Sequence, residues 1–140
     1  MKTIYWMAGL AAVVCAVLFR PSFLRAQGAR EGYPVLSPSE ARETIAKRSG
    51  DPGFVLLDVR TPKEFHAERI DGAVMVDYLS PTFRDEMAKL DRRKTYLVYC
   101  RTGNRTNGAL KVMRELGFRN VYDFSGGITK WKEAGFPTAR

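Results

Sequence analysis

Cysteine is the side chain in this sequence best suited to covalent chemistry, and beyond residue 26 there is one, Cys100. It opens the stretch Cys100-Arg101-Thr102-Gly103-Asn104-Arg105-Thr106, which follows the run Tyr96-Leu97-Val98-Tyr99 and leads into a segment of helical periodicity. In open sheets whose strands alternate with helices, ligands gather beyond the carboxyl ends of the strands. A loop that feeds straight into a helix turns its amides and the helix N-terminus toward one point, which then attracts negative charge. A thiol held there ionises more readily than free cysteine, whose pKa is about 8.5. Gly103 supplies a backbone conformation closed to residues with a Cβ, and Asn104 tolerates left-handed geometry better than most residues. Arg105 adds a fixed positive charge, Thr106 is read as the helix cap, and Arg101 is expected at the rim, where an anionic substrate would meet it. Lone cysteines are often inert core residues. Strand-end placement, Gly103 and the two loop arginines turn the reading of Cys100 to nucleophile.

The other reactive types narrow the chemistry. His66, the only histidine, sits in a surface-type segment after Glu64-Phe65. A cysteine–histidine protease and a histidine-rich metal site are therefore set aside, and no metal is expected. Asp58 and Arg60 flank Val59 at the end of an apolar run, so their side chains point to one side near the same sheet edge, as an ion pair supporting the active face rather than touching substrate. Gly126-Gly127 reads as a turn, without the pattern of a phosphate loop. Because Cys15 lies in an apolar N-terminal run, the rest of the chain cannot form an internal disulfide.

Charge excludes one class of partner. Beyond residue 26 there are 20 basic and 15 acidic residues, and the basic ones are dispersed. The run Asp91-Arg92-Arg93-Lys94 is short and reads as a solvated loop. Nucleic-acid binding would need a basic stripe with aromatic residues to stack on, so no nucleic acid is expected. A mildly positive surface favours small anionic substrates.

These residues must be positioned by elements that the punctuation marks clearly. Ser37-Pro38-Ser39-Glu40 carries a capping serine, proline at the first helical position and glutamate three after the cap, predicting a helix to about Arg48. A turn over 49–53 precedes Phe54 to Val59, an apolar run too short for a helix and read as a strand buried on both faces. Thr61-Pro62-Lys63-Glu64 repeats the cap and opens a short helix. Ala73 to Val76 is a second strand. Ser80-Pro81 opens another helix, with Phe83, Met87 and Leu90 on one face, and Thr95 to Tyr99 is a third strand. Past the loop, Ala109, Val112, Met113 and Leu116 mark a helix face that Gly117 ends, with Phe118 placed for a Schellman contact. Asn120 to Phe124 is the next strand, and a last short helix carries Trp131. The fold class is α/β, a mainly parallel central sheet with helices on both faces.

The N-terminus is different. Lys2 precedes an uncharged run of sixteen residues, Ile4 to Phe19, followed by Arg20 and Pro21. That is longer than a signal-peptide core needs and just short of the roughly 17–25 residues that span a bilayer. Residues 1–26 read equally as a cleaved signal peptide or a membrane anchor, 27–36 as a linker and 37–140 as the folded domain. The flanking basic residues set no clear orientation. The expected location is exported, periplasmic or extracytoplasmic, with residues 4–19 able to insert in the membrane.

At three places the chain resembles the rhodanese-like sulfurtransferases. Cys100 to Thr106, "CRTGNRT", is similar to that family's active-site loop, Cys-x-x-Gly-x-Arg followed by Ser or Thr. Leu56 to Ala73, "LLDVRTPKEFHAERIDGA", resembles its amino-terminal signature, and Phe124 to Pro137, "FSGGITKWKEAGFP", its carboxyl-terminal one. The resemblance spans about residues 35–137 and departs where Glu68-Arg69 replaces the usual Gly-His before Ile70. It implies a single-domain rhodanese-like fold, a persulfide carried on Cys100, and a loop, Arg101 to Thr106, that binds a small anionic sulfur donor such as thiosulfate. It further implies a thiol or cyanide acceptor, an acceptor protein as an alternative, and no cofactor. A non-catalytic persulfide carrier or partner-docking module is the competing reading. Cysteine phosphatases and arsenate reductases are more remote: phosphatases of this fold resemble Cys-x5-Arg, whereas four residues separate Cys100 from Arg105.

Overall fold

A computed structural model describes residues 32–140. The expected signal or anchor over 1–26 and the first part of the linker lie outside the described residues. Helix α1, Pro38–Lys47, begins as its cap signature requires: Ser37 Oγ accepts from the Glu40 amide at 3.3 Å and Glu40 Oε2 accepts from the Ser37 amide at 2.8 Å. Strand β1 is Phe54–Asp58, and helix α2, Pro62–Ala67, repeats the capping box through Thr61 and Glu64. There follow β2 (Val74–Met75), α3 (Phe83–Ala88), β3 (Thr95–Tyr99), α4 (Asn104–Glu115), β4 (Val121–Phe124) and α5 (Gly127–Glu133).

The four strands form one sheet in the order β2-β1-β3-β4, every neighbouring pair parallel, with Asp58 level with Tyr99 and Tyr99 level with Phe124. Alternate residues face opposite sides. Leu57, Tyr96 and Val98 pack with Met87, Ala109 and Met113 of α3 and α4, while Leu56, Leu97 and Tyr99 pack with Ala41, Ile128 and Trp131 of α1 and α5. Helices on both faces explain why the central strands read as nearly continuous apolar runs. All the carboxyl ends of a parallel sheet lie on one edge, so Asp58, Met75, Tyr99 and Phe124 open onto a common rim. Helix α4 stops in a Schellman motif, with Gly117 at φ +86°, the Phe118 amide on Met113 O at 3.0 Å and the Gly117 amide on Arg114 O at 3.0 Å.

Two elements differ from the sequence reading. The strand expected over Ala73 to Val76 is only two residues long, and Val74 is 51% exposed. As an edge strand it pairs on one side alone, and a short edge offers little ladder to a foreign strand. The helix expected from Ser80 starts at Phe83. Ser80 Oγ is engaged with Thr82, accepting its amide at 3.2 Å and meeting its hydroxyl at 2.8 Å, so residues 80–82 form a turn and Thr82 makes no side-chain cap. Phe83 and Met87 are nonetheless buried, and Leu90 packs on the same cluster. No helix of the described residues is long and apolar enough to cross a membrane.

Candidate active site

With β3 ending at Tyr99 and α4 starting at Asn104, the residues Cys100 to Gly103 must turn the chain within a single tight loop. Two of its carbonyls are anchored on α5: Cys100 O accepts from the Ile128 amide at 3.0 Å and Arg101 O from the Thr129 amide at 3.2 Å. A trans peptide points its C=O and N–H in opposite directions. The peptide whose oxygen faces Thr129 therefore directs its own N–H, that of Thr102, toward the sulfur. Gly127 makes this contact feasible. It has φ +63°, and a Cβ there would sit 2.5 Å from Cys100 O and closer still to Arg101 O.

Gly103 closes the loop around the thiol. Its φ is +109°, its amide donates to Cys100 Sγ at 3.0 Å, and a Cβ would lie 2.7 Å from Ser125 O. Gly103, and not Thr106, is the N-cap of α4; its carbonyl accepts from the Asn107 amide at 2.9 Å. Thr106 lies within the first turn, fully buried; its hydroxyl makes no hydrogen bond to any protein atom and acts to lower the pKa of the thiol. The expectation of a threonine cap is thus corrected: the left-handed glycine occupies that position.

The electrostatic balance at Cys100 favours ionisation. The side chain is 1% exposed and packs against the α3–α4 core. Burial pushes its pKa up, but the Thr106 hydroxyl and the amides of Thr106, Gly103 and Thr102 stabilise the thiolate, and the pKa falls below the ordinary cysteine value. What this arrangement can do is hold a charged sulfur in a ring of N–H donors at the edge of the sheet.

The remaining sequence-derived site residues divide. Arg101, Thr102 and Asn104 are exposed. Arg101 borders a groove of about 510 Å³ shared with Arg60, Glu64, Thr129 and Lys132. Arg105 is half-buried and its guanidinium is clasped by Glu64, with Nη1–Oε2 at 2.6 Å and Nη2–Oε1 at 2.9 Å. The same Glu64 Oε2 accepts the amide and hydroxyl of Thr61, so one carboxylate joins the start of α2 to the active loop. Arg105 and Thr61 hold its pKa down at about 2, against a smaller opposing effect of burial. Asp58 and Arg60 form a buried pair, Nη2–Oδ2 2.6 Å, and Arg60 also donates to Glu68 O at 2.7 Å, bracing the rim from below. His66 is exposed on α2 against the ring of Phe65. Among the described residues no group of three or more His, Cys, Asp or Glu side chains is placed to hold a metal ion.

Two residues of this site were not singled out by sequence reasoning. Glu64 was accounted for by its capping box, and nothing local signals that its second oxygen reaches 41 positions along the chain. Gly127 was read as one half of a turn; its contact with Cys100 exists only once α5 is folded against the loop.

Comparison with known proteins places the chain among relatives. The sequence profile of the rhodanese-like domain family matches residues 41–134. An uncharacterized protein of Synechocystis is 33% identical over 71% of this chain, which spans only about half (55%) of that relative's length. Thiosulfate sulfurtransferase GlpE of Coxiella burnetii is 32% identical over 76% of this chain and 94% of its own. Among solved structures, a rhodanese-related protein from Thermoplasma volcanium is 30% identical and superposes with a TM-score of 0.65, covering 76% of this chain and 98% of that one.

Proposed function

The chain belongs to the rhodanese-like domain family, and on that premise we propose that it is a sulfurtransferase using Cys100 as a persulfide-forming nucleophile. The observation that carries this reading is the Cys100 sulfur itself, bonded by the inward-facing Gly103 amide at 3.0 Å in a loop whose donors lower its pKa although it is buried. The Cys100 thiolate attacks the outer sulfur of thiosulfate; the S–S bond of the donor breaks, sulfite leaves with the bonding pair, and a Cys100 persulfide anion remains. Cyanide or a thiolate then attacks the terminal sulfur, the Cys100–S bond breaks, and the thiolate is regenerated. Charge stays on sulfur at both stages, where the loop N–H groups stabilise it as an oxyanion hole stabilises oxygen. Splitting the transfer across a covalent intermediate gives ping-pong kinetics.

Thiosulfate is favoured as donor because GlpE of Coxiella burnetii, whose length this chain nearly spans, carries that activity in its name. A loop with four residues between Cys100 and Arg105, one fewer than in Cys-x5-Arg, also suits a terminal sulfur better than a tetrahedral phosphate. The acceptor in this reading is cyanide or a thiol, free or on an acceptor protein. The apolar run over 4–19 directs the chain to or into a membrane, which fractionation of cells with and without residues 1–26 tests.

The deciding assay is thiocyanate formation from thiosulfate and cyanide. Wild type turns over with parallel double-reciprocal lines, and Cys100→Ser does not. Turnover by Cys100→Ser, or aryl phosphate hydrolysis that depends on Cys100, overturns the proposal. Stoichiometric persulfide on Cys100 without turnover assigns the chain to the carriers instead.

A further inference from the structure

Charge is distributed unevenly over the fold. The described residues include nineteen Lys or Arg and fourteen Asp or Glu. Segments 89–94 and 111–119 together hold seven basic and two acidic residues, so these two stretches account for the whole surplus of five. The fold sets them side by side around Phe118. Arg92 Nε donates to Leu116 O at 2.6 Å and its guanidinium lies 5.7 Å from the Phe118 ring. The Arg114 guanidinium lies 5.5 Å from the Tyr33 ring, whose hydroxyl donates to Phe118 O at 2.7 Å. Because Tyr96 is level with Val121, the parallel register brings Lys94 beside Arg119. The two acids are already engaged, Asp91 with Arg93 at 2.9 Å and Glu115 with Arg84 at 2.6 Å. Arg92, Arg93, Arg114 and Arg119 are exposed. The cluster occupies the amino ends of β3 and β4. Cys100 follows the carboxyl end of β3, about 16 Å away along the strand.

Position along the chain gives this face a partner. Tyr33 is held inside the cluster, and the thirteen residues 20–32 separate it from the apolar run over 4–19. Such a segment reaches at most about 45 Å, and it carries Arg20, Arg25 and Arg30. A chain tethered by that run is joined to its domain at the basic pole, not at the catalytic one.

We propose that the face formed by Arg92, Arg93, Lys94, Arg114 and Arg119 rests on an anionic phospholipid surface, leaving the Cys100 rim turned to the aqueous phase. This rests on the membrane reading of residues 4–19. Phosphate headgroups match exposed guanidinium and ammonium groups, and each Lys or Arg near an anionic surface strengthens association by about fivefold. Nucleic acid fits less well, since Phe118 is buried and the Tyr33 ring is covered by Arg114, which leaves no aromatic face for a base to stack on.

Lysine footprinting on the full chain tests it. Protein is mixed with phosphatidylcholine vesicles or with vesicles of phosphatidylcholine and phosphatidylglycerol, floated, and acylated with an amine-reactive reagent that does not cross membranes. The expected result is flotation with both, and protection of Lys89, Lys94 and Lys111 with the anionic vesicles alone, while Lys63, Lys130 and Lys132 react equally in both. High salt removes the protection. The triple variant Arg93→Glu, Lys94→Glu, Arg119→Glu removes it at Lys89 and Lys111 and leaves thiocyanate formation unchanged. Equal labelling in the two vesicle types, protection at Lys130 and Lys132 instead, or stronger protection by an oligonucleotide at matched charge overturns the proposal. Absence of flotation with neutral vesicles overturns it by a different route, through the tether, and leaves the sulfurtransferase reading untouched.

Discussion

Replacing Thr106 by valine isolates the one side-chain donor facing the nucleophile. Thr106 is fully buried and its Oγ1 makes no hydrogen bond to any protein atom, so exchanging hydroxyl for methyl orphans nothing while it removes the side chain that does most to lower the thiol pKa. A hydrogen bond to a charged group contributes about 1.5–3 kcal/mol, and one pH unit corresponds to about 1.4 kcal/mol. The Cys100 pKa in Thr106→Val should therefore rise, by no more than the loss of one such bond allows. It should not rise further, because the amides of Thr102, Gly103 and Thr106 still face the sulfur. Stability should respond in the other direction. Thr and Val have similar helix propensities, and a methyl needs no hydrogen bond in an apolar site, so the variant should melt at or above the wild-type temperature near neutral pH. Because the folded-state thiol pKa is lowered, wild type should gain stability as pH rises through that value toward about 8.5, and the variant should gain less. The assay is the pH dependence of Cys100 alkylation by iodoacetamide, read on the Cys100 peptide by mass spectrometry so that Cys15 does not interfere. An alkylation midpoint that stays in place or falls refutes the assignment of the hydroxyl to the sulfur.

Three further outcomes are expected. Glu64 has its pKa held at about 2 against 4.5 unperturbed, so its contribution is complete above about pH 4.5 and is lost as pH falls toward 2; full conversion is about 3 kcal/mol, and with the side chain 28% exposed screening brings it to about 1–2 kcal/mol. Urea unfolding of Glu64→Gln should show that loss at pH 7 and a flatter acid profile, and a wild-type acid profile would rule out the Arg105 clasp. Gly127→Ala places a Cβ against Cys100 O and Arg101 O at positive φ, costing about 3 kcal/mol or more and most of the turnover; wild-type melting would contradict the close approach. Arg101→Ala, at an exposed rim position, should change stability by less than about 0.5 kcal/mol while raising KM for thiosulfate several-fold at near-constant kcat, and an unmoved KM would remove Arg101 from donor binding.

Much of this site is legible before folding because its signals are local. Ser37 with Glu40 and Thr61 with Glu64 close their capping boxes within three residues, and the Schellman bonds at Gly117 span five. The apolar runs of β1 and β3 declare two-sided burial by composition alone, and the Cys100 to Gly103 loop falls where a parallel strand meets a helix. Sequence also gave Gly103 its left-handed backbone, since only the absence of a Cβ permits it. What tertiary structure alone decided depends on partners that packing brings from far along the chain. Val74 is exposed because, among the described residues, no strand lies beyond β2, and α3 starts late because Ser80 turns to Thr82. Arg105 is held by a carboxylate 41 residues earlier, and Gly127 is required by carbonyls at positions 100 and 101. The basic pole follows the same rule: segments 89–94 and 111–119 are unremarkable singly and become one surface only when Arg92 reaches Leu116 across 24 positions. Local hydrogen bonding and periodicity are written in neighbouring residues, whereas the meeting of distant charges is set by how helices cover the sheet.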